Sequence, residues 1–156
     1  MKHSLLFGLL CSPVGIGLGI ILRIADWGVA SGDSYGLGFI SSAGIAAFMV
    51  PCFIWYIMIE HRERISVSRG ITVGVLGAAL AHFVCWYLFL VSSYIEHLYL
   101  GESTEKVVGP LGGILAALTY SLVSLPLFSL LTLPIGGLIG GICGMIFKIK
   151  GDTSDP

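Results

Sequence analysis

The fold class this sequence predicts is all-α: a polytopic transmembrane helical bundle. Three observations predict it. Of the 156 residues, 56% are hydrophobic and only 11% are charged, against about 25% charged in ordinary soluble domains. Mean hydropathy is +0.96. The apolar residues are gathered into long runs separated by short polar segments. A soluble chain of this size needs polar groups to cover its surface, and here the apolar groups must face something other than water. Lipid is the simple answer.

A helix needs about 20 apolar residues to cross ~30 Å of hydrocarbon. Four spans are expected, at about residues 4–24, 36–59, 70–95 and 122–147, within a single domain covering 1–147. In the first, Ser4 to Leu22 runs 19 residues without a charge, longer than the ~7–15-residue core of a signal peptide. It is therefore read as a retained span, although Gly28-Val29-Ala30 would pass as a cleavage site. Cys11 is a poor lipoprotein cysteine because the bulky Leu10 precedes it. The final apolar region, 107–147, has 41 residues and no ionisable side chain except Tyr120. As one helix it would be about 60 Å long, roughly twice the hydrocarbon thickness. The expectation is therefore a span at 122–147 preceded by an interfacial or re-entrant segment at 107–120. The alternative is a hairpin turning near Ser124-Leu125-Pro126, which would make five spans. Residues 148–156 form a short polar tail.

Basic residues orient the chain. With the N-terminus inside, Lys2, Arg62, Arg64, Arg69, Lys148 and Lys150 fall on the cytoplasmic side, and only Arg23 and Lys106 fall outside. Both termini are thus expected in the cytoplasm, and the acidic loops outside. Trp27, Tyr35, Tyr94 and Tyr99 would lie near the outer interface, Trp55 and Tyr56 near the inner one. A bacterial inner membrane is the expected compartment.

Small residues recur at four-residue spacing: Gly15 and Gly19; Gly70, Gly74 and Ala78; Gly136, Gly140 and Gly144, with Gly137 and Gly141 alongside. Lipid supplies no hydrophobic force between helices, so close backbone approach must hold them together. These rows are read as helix-packing faces of glycine-zipper type. Either they pack the bundle internally, or one, above all Gly136/Gly140/Gly144, receives a second protein. Pro13, Pro51, Pro126 and Pro134 lie within apolar runs and each removes a backbone donor. Ser129 and Thr132 are near enough to Pro134 to serve its freed carbonyl.

His82 is the strongly ionisable residue near the middle of a span. It continues the row Gly70, Gly74, Ala78, His82, Trp86, so it should point into the bundle. It would either hydrogen-bond a Ser, Thr or carbonyl of a neighbouring helix, or act in a proton pathway. Arg23 and Asp26 lie three apart at the outer end of the first span and can pair or anchor at the headgroups. Glu60, His61, Glu63 and His97 lack the spacing of helical zinc sites, and Glu60–Ser68 reads as a charged loop that fixes topology. Cys11, Cys52, Cys85 and Cys143 all lie in apolar runs, as free thiols do.

No enzyme is expected, for no nucleophile elbow, phosphate loop or dinucleotide fingerprint appears. Ser121 or Ser124 with His82 is the single conceivable hydrolytic pair. No cofactor, metal or nucleic acid is expected. The expected partners are the bilayer and either another membrane protein or a second copy. The function read from this is helix–helix interaction in an accessory, assembly or immunity-type role. The alternative is a small oligomeric channel or transporter with His82 near its pathway.

Overall fold

The computed structural model describes residues 2–25, 33–61, 65–100 and 108–152. Helix α1 is Lys2–Ile24 and α2 is Asp33–Trp55, continued by a π-helical turn at Tyr56–Glu60; α3 is Val67–Leu100 and α4 is Pro110–Asp152. All four are long and apolar enough to cross a membrane, which is compatible with a multi-pass membrane helical protein. Asp26, Trp27, Arg62, Glu63, Arg64 and Lys106 lie outside the described residues.

Successive helices run in opposite directions. The start of α1, the end of α2, the start of α3 and the end of α4 meet at one end of the bundle. There Phe7 packs on Trp55 at 4.5 Å between ring centroids, Trp55 on Phe147 at 5.6 Å and His3 on Phe147 at 4.3 Å. Trp55 is 0% exposed. Its side chain is thus a core group at this end of the bundle. A second buried cluster, Phe39, Ala46, Cys85, Trp86, Phe89 and Ala117, lies farther along α2, α3 and α4.

The expected break before residue 122 does not exist. Pro110 to Asp152 is one α-helix of 43 residues, about 65 Å long. Its first turns belong to the bundle, since Ala117 is fully buried in the cluster with Phe89. No hairpin forms at Ser124-Leu125-Pro126, and Pro126 and Pro134 are absorbed within the helix. Continuity follows from one face of α4. Gly113, Ala117, Ser121 and Ser124, and then Gly136, Gly140, Gly144 and Phe147, are buried along it at three- or four-residue spacing, with half-buried Phe128 and Thr132 between the two groups, while Leu111 and Leu130 on other faces are 85% and 84% exposed. Small groups face the neighbour and large apolar ones face outward, the arrangement that lipid favours.

The hydroxyls near Pro134 bond carbonyls earlier than that of Leu130, which its ring frees. Thr132 donates to the Phe128 carbonyl at 2.9 Å and Ser129 to that of Pro126 at 3.4 Å.

Candidate functional site

The glycine rows of α3 and α4 meet each other. A methyl group built on Gly136 would lie 2.6 Å from the Gly74 carbonyl oxygen and 3.0 Å from Ala78 Cβ. One built on Gly144 would lie 2.9 Å from the Ser66 carbonyl. Gly70 stands against the Gly140 carbonyl and Gly74 against that of Gly136. On α1, a methyl at Gly15 would lie 2.6 Å from Ala47 Cβ, and one at Gly19 3.1 Å from Ile40 Cα, both on α2. The face of Gly136, Gly140 and Gly144 is thus occupied by α3 of the same chain.

Farther along the α3 row the small residues give way to His82 and Trp86, and these meet the polar part of the α4 face. His82 Nε2 lies 2.7 Å from Ser124 Oγ. The Trp86 indole N–H donates to the same oxygen at 3.0 Å. Ser124 Oγ lies 2.6 Å from the Tyr120 carbonyl oxygen, and the Tyr120 ring stacks on Trp86 at 5.1 Å.

The proton positions follow from these distances. Two oxygens 2.6 Å apart repel unless a hydrogen lies between them, so the single Ser124 proton goes to the Tyr120 carbonyl. The hydroxyl can then only accept from its other two neighbours. Trp86 has a donor alone to offer, and His82 must donate from Nε2. The neutral imidazole is held as the Nε2–H tautomer, leaving a lone pair on Nδ1. Among the described residues Nδ1 has no hydrogen-bond partner.

His82 also lines a cavity of about 170 Å³ in the middle of the bundle. All four helices form its wall, through residues such as Leu18, Ala43, Ala78, Phe128 and Ile135. Adjacent helices pack α1 on α2, α2 on α3 and α3 on α4, whereas α1 and α4 touch little. Their ring contacts lie at the His3–Phe147 end. The cavity is therefore unsealed along the seam between α1 and α4. Toward the His3–Phe147 end lies the buried aromatic cluster of Phe7, Trp55 and Phe147, with Cys11 belonging to both the cluster and the cavity wall.

At that end lies a group the sequence did not reveal. The Glu60 carboxylate accepts from the backbone N–H groups of His3 at 2.9 Å and Ser4 at 3.1 Å, and its other oxygen lies 3.1 Å from Ser4 Oγ. The first N–H groups of a helix have no partner within the helix, and its dipole favours an anion there. Glu60 thus caps α1 from the end of α2. The two residues are 56 apart, so no local capping pattern could have announced this.

Arg23 is half-buried in the last turn of α1, where a cation complements the helix dipole; its proposed mate Asp26 is outside the described residues. Cys11, Cys52, Cys85 and Cys143 are free thiols. Among the described residues, no three His, Cys, Asp or Glu side chains are grouped closely enough to hold a metal. Comparison with protein-family models, with curated proteins and with solved structures finds no match to this chain.

Proposed function

We propose that this chain acts by binding inside the membrane and not by catalysis, and that its site is the cavity beside His82, entered sideways between α1 and α4. The observation that carries this reading is a polar atom with no partner, His82 Nδ1, on a residue lining an apolar cavity that one helix seam leaves open. Ligand sites are characteristically apolar cavities with a few placed polar groups. The volume, about 170 Å³, resembles that of cavities that hold a benzene-sized molecule. A narrow apolar body fits, and any longer tail would extend through the seam into lipid.

Hydrolysis has weaker support. Ser124 has committed its proton and both lone pairs, so it lacks the free nucleophile that a serine–histidine pair requires. Transport through the bundle would have to part the aromatic layer of Phe7, Trp55 and Phe147. An accessory role with a partner protein remains compatible with a binding site, but the Gly136/Gly140/Gly144 face is engaged within the chain.

The test is photolabelling of the reconstituted protein with an alkyl diazirine. Adducts on cavity residues such as Leu18 and Ile135, suppressed by excess unreactive alkane, are the expected result. Adducts confined to outward residues such as Leu111 and Leu130 would overturn the proposal.

A further inference from the structure

We infer that the cavity selects molecules carrying a hydrogen-bond donor, and that its ligand is a lipid-soluble alcohol: a narrow apolar body bearing a hydroxyl group. The inference rests on the proposed binding role and adds the chemical class of the ligand.

The selection comes from the lock on the imidazole. A free neutral histidine could present either a donor or an acceptor to a ligand, because its two tautomers interconvert. Here Ser124 removes that choice. Its proton is committed to the Tyr120 carbonyl and its remaining capacity to the donors of His82 and Trp86. The Nε2–H points at α4, and Nδ1 is left as an acceptor. Of the other polar groups on the wall, the Trp86 N–H is taken by Ser124 and the Thr132 hydroxyl by the Phe128 carbonyl, and the free thiols of Cys11 and Cys85 are only weak donors. A ketone or an ether of the same shape brings another acceptor, and two lone pairs would face each other in an apolar space. A hydroxyl brings the missing proton. Its own desolvation on leaving the interface is then offset by a bond that an ether or alkane cannot form.

The seam supports the same class. An alcohol partitions into the bilayer with its tail among the acyl chains, so it reaches the bundle from the side.

The experiment competes 1-decanol and its methyl ether against the alkyl diazirine in vesicles of phosphatidylcholine, for the wild type and for His82→Phe. Comparing the two proteins at equal lipid cancels differences in membrane partition. The wild type should favour the alcohol over the ether roughly tenfold more than His82→Phe does, equivalent to about 1.4 kcal/mol. A second measurement needs no variant: imidazole nitrogen NMR of the wild type should show the Nδ1 resonance moving when decanol is added and not when the ether is added. Cavity labelling that both competitors suppress equally, or an alcohol preference that survives in His82→Phe, would overturn the alcohol selection alone. Absence of cavity labelling would overturn the binding role together with it.

Discussion

His82 shows how a single side chain takes its chemistry from a neighbour's proton. The row Gly70, Gly74, Ala78, His82 and Trp86 was legible because residues four apart share a helix face, and a histidine on a small-residue face has to turn inward. Which hydroxyl it meets was not legible, since that depends on the register of α4 against α3. Ser124 accepts from two donors at once. Replacing it with alanine strands both N–H groups, and Ser124→Ala should lose about 1–2 kcal/mol of stability, read as a shift in the detergent unfolding transition. Trp86 fluorescence should report the change directly, because its N–H loses its acceptor. At the other end of the bundle, Glu60→Ala removes the acceptor of the His3 and Ser4 N–H groups. The expected cost is about 0.5–2 kcal/mol, with proteolysis at the start of α1 becoming faster. An unchanged cutting rate would exclude the cap as a stabilising contact.

At the scale of the helix, what matters is which face is small. In α4 the buried residues are mostly glycines, alanine and serines, with Cys143 and Phe147, and the exposed ones are mostly large apolar residues, leucines and isoleucines above all. A reading based on length alone divides this helix, because its extent exceeds the hydrocarbon core. A reading based on its face does not, since Gly113, Ala117, Ser121 and Ser124 continue through Phe128 and Thr132 to Gly136, Gly140 and Gly144 at three- or four-residue spacing. The prolines are no obstacle: Pro126 and Pro134 are exposed and lie within the continuous helix. The α3–α4 contact is the most sensitive part of the fold. A side chain at Gly74 would run into the Gly136 backbone, which cannot move aside without separating the helices. Gly74→Leu should therefore destabilise by about 1–3 kcal/mol or more. Gly17 supplies the control, since nothing lies within 4 Å of a methyl group built there. Gly17→Ala should be neutral, or stabilising by up to about 1 kcal/mol through helix propensity. Equal losses for the two variants would show that glycine content, and not the contact, sets stability.

The whole molecule is a four-helix bundle with one weak side. Three neighbouring pairs pack along their lengths, and the fourth pair, α1 with α4, meets at the aromatic layer and leaves the cavity open beyond it. Such a bundle can admit a molecule from the side without unfolding, because widening a seam breaks few contacts. The up-and-down arrangement also carries a topological consequence. His3 and Phe147 are in ring contact, so Lys2 and Lys148 lie at the same end. An impermeant amine reagent applied to sealed, uniformly oriented vesicles should modify both from one side and neither from the other. Modification from opposite sides would overturn four full crossings.

Composition and run length by themselves determined that this chain is helical, apolar on its outside and made of four candidate spans. They suffice because hydrocarbon leaves a backbone little choice but to satisfy its own hydrogen bonds. Four-residue spacing likewise determined which faces are small. Only the tertiary structure decided which faces meet, that α4 continues unbroken, that Glu60 caps α1 at Ser4, 56 residues earlier, and that Ser124 sets the tautomer of His82. Each of these depends on the relative register of helices distant in sequence, and an intrahelical repeat carries no information about a neighbour's register.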